Sequence, residues 1–293
     1  MNMLKGCGTA LVTPFFADGS VDYEGYAAMV DRQVAAGVDF LVPLATTGET
    51  PTLSNDEKVE IFKLVKAHAD GLPLVVGVGS NSLPGTLANI DLLAPLQPDY
   101  LLVVVPFYNK PTQQGQYDYF KAVAQSTSIP IIIYNVPGRT GSNMLPATVL
   151  RLAREVPGIV GIKEASGKYD QVSEILSGAP AGFSVLSGDD DMTLAFMATG
   201  AHGVVSVASN VAPAEVSKMT RAVLLGHLDE ARRLHHRLYP LFKACFVESN
   251  PVPAKAALSI LGITGATVRL PLSDASEATF ELMTKVLDDL WKK

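Results

Sequence analysis

Eight short apolar runs recur along this chain, separated by stretches of helical character. They span residues 8–13, 40–45, 74–78, 100–105, 129–134, 159–163, 183–186 and 203–207. Several lack any polar alternation: Leu101-Leu102-Val103-Val104-Val105 and Ile131-Ile132-Ile133 are apolar at every position. A strand with one wet face alternates; a strand apolar throughout is buried on both faces, as in a parallel sheet covered by its own crossovers. The runs repeat every 25 to 30 residues or so, the spacing of βα units. Helices are expected over 22–36, 54–69, 115–127 and 147–155, the second opening on Ser54-Asn55-Asp56-Glu57, a capping box. Eight such units predict an α/β fold closed into a (β/α)8 TIM barrel, with a doubly wound open sheet as the alternative. After Val207 the pattern turns helical, over 212–226, 228–247, 252–261 and 275–290, with a break at Ser249-Asn250-Pro251-Val252-Pro253. We therefore expect a barrel over 1–225 and a C-terminal helical domain over 226–293.

The 293 residues suffice for a sizeable core, and 48% hydrophobic with 18% charged residues is a globular balance. A net charge of −6 offers no basic footprint for nucleic acid. An anionic substrate must then be caught by local cations. No uninterrupted apolar run approaches the roughly 18 residues of a membrane span. Met1 to Gly8 lacks the apolar core of a secretory signal. Cys7 and Cys245 form no motif and read as reduced thiols, so the expected location is cytoplasmic.

In a barrel, chemistry gathers where strands end. Lys163 closes the sixth run in Gly161-Ile162-Lys163-Glu164-Ala165. Burial favours the neutral amine of a lysine, and that amine is the nucleophile for a Schiff base with a ketone. The competing reading is a snorkelling lysine, or one paired with Glu164. Tyr134 ends the fifth run and should lie beside Lys163, because consecutive parallel strands are neighbours. Its phenol can shuttle protons, or can simply fill the barrel. Arg139, in the loop that follows, can hold a carboxylate bidentately or stand as a solvated charge. Thr46-Thr47-Gly48-Glu49, after the second strand, offers hydroxyl and backbone donors to an oxyanion. Gly48 there permits an unusual backbone angle or close ligand approach, though an ordinary turn is the plain alternative. Tyr108, between Pro106 and Pro111, sits on a stiff loop and reads as a proton relay or as interface packing. Asp189, Asp190 and Asp191 read as N-caps before Met192 rather than as metal ligands. Val205 and Ser206 on the eighth run read as core.

Other chemistries lack their motifs. The five histidines show no H-x-x-x-H pair and there is no C-x-x-C, so no metal is expected. Neither a phosphate-binding P-loop nor a G-x-S-x-G elbow occurs, and Gly77-Val78-Gly79 lacks the third glycine of a dinucleotide fingerprint. A lysine, two tyrosines, a threonine pair and an arginine on strand ends point to carbonyl chemistry on a carboxylate substrate without a cofactor.

These residues resemble the dihydrodipicolinate synthase / N-acetylneuraminate lyase family of class I aldolases. The resemblance runs from Gly6-Cys7-Gly8-Thr9-Ala10 to Pro253-Ala254-Lys255. It is most specific at Thr46-Thr47-Gly48-Glu49, Tyr134-Asn135-Val136-Pro137-Gly138-Arg139-Thr140-Gly141, Gly161-Ile162-Lys163-Glu164-Ala165 and Ser187-Gly188-Asp189-Asp190. It implies a TIM barrel with a C-terminal helical domain, assembled as a homotetramer of two tight dimers, or as a dimer. It implies that Lys163 forms an imine with pyruvate and that Tyr134 shuttles protons. Thr47 would link Tyr134 to Tyr108, with Tyr108 reaching into the neighbouring subunit. Thr46 and Thr47 would bind the pyruvate carboxylate, Arg139 would position Tyr108 and receive the second substrate's carboxylate, and Gly188 and Val205 would line the pocket.

Thr46 and Arg139 resemble the synthase branch, whose reaction joins pyruvate to L-aspartate 4-semialdehyde as 4-hydroxy-tetrahydrodipicolinate, in lysine and diaminopimelate biosynthesis. The covalent imine replaces any cofactor. The rivals are another pyruvate-dependent aldolase or keto-acid dehydratase, and a non-catalytic ligand-binding homologue. One departure stands out. At positions where lysine-inhibited relatives carry histidines, a glutamate and a tyrosine, this chain has Asn55, Lys58, Gly85 and Phe107, although Asn81 fits. Lys58 would repel a lysine ammonium, so feedback inhibition is expected to be weak or absent.

Overall fold

The computed structural model describes residues 3–292. Eight parallel strands form one sheet: β1 (Gly6–Ala10), β2 (Phe40–Val42), β3 (Val75–Gly77), β4 (Tyr100–Val104), β5 (Ile131–Asn135), β6 (Ile159–Glu164), β7 (Ser184–Ser187) and β8 (Gly203–Ser206). Their order is β2-β1-β8-β7-β6-β5-β4-β3. The two ends of that order meet. Leu41 N–H donates to Pro73 O at 3.0 Å and Gly77 N–H to Pro43 O at 3.2 Å, with a parallel bridge between Leu41 and Leu74. The ring is thus a closed barrel, and the open-sheet alternative is excluded.

The strand pleat sorts the apolar runs into two separate cores. Phe40, Val42, Tyr100, Leu102, Ile132, Tyr134, Leu186 and Val205 belong to one cluster, which fills the barrel. Their chain neighbours Leu41, Leu101, Val103, Ile131, Ile133 and Val185 belong to the other, with helix residues such as Phe62, Phe120 and Val149. This double burial is why the strands carry no polar face.

Four expected helices are present as Tyr23–Ala35, Asn55–His68, Gln113–Gln125 and Pro146–Glu155. The second has its capping box complete, Ser54 and Glu57 each accepting the other's backbone N–H. Two barrel helices, Leu83–Leu93 and Tyr169–Gly178, were not legible in the sequence, whereas Thr193–Ala198 is the helix expected after the three aspartates. The first carries Pro84 and Gly85, which read as a break; proline is tolerated there because it occupies the first turn. Pro213–Leu224, which falls inside the expected 1–225 span, packs against β1 and closes the eighth βα unit. Beyond it, Leu228–Ala244, Val252–Ile260 and Glu277–Trp291 pack on one another. They are tied back to the barrel helix by Trp291 Nε1–H to Glu215 at 2.8 Å. No helix of the described residues is long and apolar enough to cross a membrane.

Candidate active site

Register sets the centre of the site. β5 and β6 pair so that Tyr134 stands opposite Lys163. Strand alternation then turns Glu164 to the other face, and the two charges next to each other in sequence separate. Glu164 is fully buried outside the barrel, accepting from Asn135 Nδ2 at 3.0 Å, Gln171 Nε2 at 3.0 Å and Ser166 N–H at 2.8 Å. Lys163 has no ion pair or hydrogen bond among the described residues, which corrects the paired and snorkelling readings. It is 4% exposed, with Nζ 4.1 Å from the centre of the Tyr134 ring. Gly188 completes its surroundings: a Cβ there would lie 3.1 Å from Lys163 Cε, so the glycine leaves room for the lysine stem. Asp189 follows. Burial, then Asp191, pushes its carboxyl up to about 6, with Lys163 pulling the other way.

A cavity of about 370 Å³ opens beside this pair, lined by Ala45, Thr46, Leu102, Tyr134, Arg139 and Thr140 among others. Tyr134 is a lining residue and Lys163 is not; Lys163 Nζ lies against the Tyr134 ring. Arg139, on the short helix Pro137–Thr140, is exposed and unpaired among the described residues, so its guanidinium is free for an anion. Lys58 and Phe107 line the far side of the same cavity, and burial without a compensating partner lowers the Lys58 ammonium's pKa. Val205 is buried in the barrel filling.

Thr46–Gly48 is a single 3-10 turn. Its first N–H groups have no acceptor within the turn and are available to an oxyanion. The left-handed residue is Glu49 at φ 53°, not Gly48 as the sequence suggested. Gly48 is needed for space, since a Cβ there would lie 3.2 Å from Leu11 O. Thr47 is buried and its Oγ1 accepts from Asn250 Nδ2 at 2.9 Å.

Tyr108 is not brought into the site of its own chain. It is 88% exposed and held at φ 71°, with Lys110 at φ 48°. Two non-glycine residues in the left-handed region are strained, and such strain persists where the surroundings enforce it. Here Asn109 Nδ2–H donates to Asn81 O at 3.0 Å. The aspartates also differ from expectation. Asp190 does not cap its own turn; its Oδ2 accepts from Val207 and Ala208 N–H, both at 3.0 Å, at the end of β8.

The model of the dihydrodipicolinate synthetase family matches residues 3–290. The chain belongs to this family. It is 47% identical to the 4-hydroxy-tetrahydrodipicolinate synthase of Azobacteroides pseudotrichonymphae, over 97% of each chain. It is 45% identical to that of Phocaeicola vulgatus, over 98% of this chain and 97% of the relative. The crystal structure of dihydrodipicolinate synthase from Thermotoga maritima superposes with a TM-score of 0.97 at 43% identity, covering 99% of each chain. The fold and lysine–tyrosine pairing described above are thus those of a chain similar to dihydrodipicolinate synthases throughout its length. Sequence reasoning missed Asn250 and Lys255 as partners of the threonine loop, having read the one as part of a break between helices and the other only as the end of the resemblance.

Proposed function

We propose that the protein condenses pyruvate with L-aspartate 4-semialdehyde to give 4-hydroxy-tetrahydrodipicolinate, as a class I lyase of lysine and diaminopimelate biosynthesis. The observation that carries this reading is a buried lysine with no carboxylate partner among the described residues, 4.1 Å from a tyrosine ring at the strand ends. The pyruvate carboxylate binds at the N–H groups and hydroxyls of Thr46 and Thr47. The Lys163 amine attacks the pyruvate ketone, and the carbinolamine hydroxyl takes a proton from Tyr134 and leaves as water, giving a protonated imine. That imine is an electron sink, so the methyl group loses a proton and becomes an enamine. Tyr134, relayed through Thr47 and Tyr108, carries these protons. The enamine carbon attacks the aldehyde of the second substrate, whose carboxylate rests on Arg139. Its amine then displaces Lys163 by transimination and closes the ring. Gly188 and Val205 shape the pocket. No cofactor is required, because the imine supplies the electron sink.

Tyr108 works across a subunit boundary in this reading. Its exposure and its strained backbone support a role outside its own chain. The assembly is a homotetramer of two tight dimers, in the cytoplasm. Lysine feedback is weak or absent, because the Lys58 ammonium, unpaired among the described residues, repels a cationic effector; half-inhibition at sub-millimolar lysine would refute this.

Borohydride with pyruvate is expected to add a permanent mass to the peptide holding Lys163, and an unmodified Lys163 would sink the mechanism. A panel of aldehydes then separates aspartate semialdehyde from other acceptors. Mixing Tyr108→Phe with Lys163→Ala chains is expected to restore part of the activity.

A further inference from the structure

Thr47 must do three things with one oxygen. A threonine hydroxyl has two lone pairs and one hydrogen. A relay needs one lone pair to receive a proton and the hydrogen to pass one on. The third valence is free to rotate unless something holds it. In this structure Asn250 holds it: Nδ2 donates to Thr47 Oγ1 at 2.9 Å, from a segment 203 residues away. Asn250 is 6% exposed, and its Oδ1 is buried with no hydrogen-bond partner among the described residues. A buried acceptor left without a donor is costly, and such groups call for an explanation beyond packing.

The same C-terminal segment fixes the loop itself. Lys255 Nζ donates to Glu49 at 2.5 Å and to Thr267 O at 2.8 Å, and Arg269 N–H donates to the other Glu49 oxygen at 2.9 Å. Glu49 is the left-handed residue that ends the Thr46–Gly48 turn. Position and orientation are thus set separately: Lys255 and Arg269 anchor the turn, and Asn250 contacts the one hydroxyl in it that matters for proton transfer.

We infer that Asn250 is a positioning residue that aims the Thr47 hydroxyl: by occupying one lone pair with an N–H, it leaves one lone pair and the O–H for the relay. The inference rests on the Schiff-base reading above. Its sharpest test is Asn250→Asp. An ionised carboxylate only accepts, so it draws the Thr47 O–H toward itself and takes the hydrogen out of the relay. Asn250→Ala removes the donor but leaves the hydroxyl free to find the relay by rotation.

The experiment measures kcat and KM for pyruvate across pH in the purified full chain and both variants, with thermal melts and borohydride trapping of pyruvate in each. Asn250→Asp is expected to keep the trapped adduct and a KM within about threefold. Its kcat should fall at least about tenfold, more than that of Asn250→Ala, and should recover as pH is lowered and the new carboxyl protonates into a donor. Wild-type kcat and pH profile in Asn250→Asp would overturn the inference. So would equal losses in both variants that track lowered melting temperatures without any pH recovery. Failure of the unsubstituted chain to trap pyruvate would overturn the Schiff-base reading and this inference with it.

Discussion

Lys163 and Lys255 are both buried, and they are surrounded in opposite ways. Lys255, fully buried, is held by Glu49 and Thr267 O, with the Phe15 ring 4.1 Å from Nζ. Burial lowers its pKa while Glu49 works against that shift. Lys163, 4% exposed, has a phenol ring for a neighbour and no ion pair among the described residues. A paired buried lysine is a structural element: losing it strands its partner. An unpaired one leaves no buried partner behind when it is replaced, and in the proposed mechanism it is the nucleophile. Sequence cannot separate the two, since each lies beside other buried residues and each has a glutamate within reach of a plausible pairing. Geometry does, because the pleat sends Glu164 away from Lys163 while the loop delivers Glu49 to Lys255.

Exchanging each lysine for methionine is the strongest way to break this contrast. Lys163→Met is expected to abolish turnover and borohydride trapping while leaving the thermal midpoint unchanged or higher. Lys255→Met is expected to keep the trapped adduct but to lose about 3–5 kcal/mol of stability, because Glu49 is left buried and uncompensated. Denaturant melts and mass spectrometry on both variants read the two effects side by side. Similar stability losses in both would erase the distinction.

Tyr134→Phe comes next in size. Removing the hydroxyl but keeping the ring should reduce kcat by about a hundredfold or more with little change in melting. A stability loss without a kcat loss would make Tyr134 a filler. Arg139→Ala should act on one substrate alone, raising KM for the aldehyde acid about tenfold while pyruvate trapping is unaffected. Its guanidinium is exposed and unpaired among the described residues, so no stability change is expected.

A change in pH slope rather than in turnover concerns the acid beside Lys163. Asp189 titrates near 6 in the folded chain, above its ordinary value of 3.8. Between those values the folded state holds the proton that the unfolded state has released. Its contribution to stability is therefore fully present below about pH 3.8 and is lost as pH rises through 6. Asp189→Asn should remove that slope, a difference on the order of 2–3 kcal/mol across the window. An unchanged stability–pH curve in the variant would show that the carboxyl is not raised.

The barrel was legible because its strands are apolar on both faces, a pattern few other architectures require. The pairing of Tyr134 with Lys163 followed from strand adjacency alone. What escaped is long-range or masked. The helix Leu83–Leu93 hid behind Pro84 and Gly85, residues that punctuate loops more often than first turns. Asp190 looked like a local cap, but it reaches 17 residues along the chain to the end of β8. Glu49 and Lys255 both stood in recognisable motifs, yet 206 residues separate them and no periodicity links a loop to a distant helix. Asn250 was read only as part of a break between helices. Its contact with Thr47 depends on where that break comes to rest.

Glu49 and Thr47 are gripped from residues 250, 255 and 269, and Glu57 is clasped by the Arg269 guanidinium at 2.6 Å. Chimeras between relatives therefore carry a hidden seam. Grafting a foreign tail beyond residue 225 onto this barrel would leave residues 46–57 matched to the wrong grip unless that loop travels with it. Inheritance at this mouth is shared between two stretches of chain that any crossover between residues 57 and 250 separates.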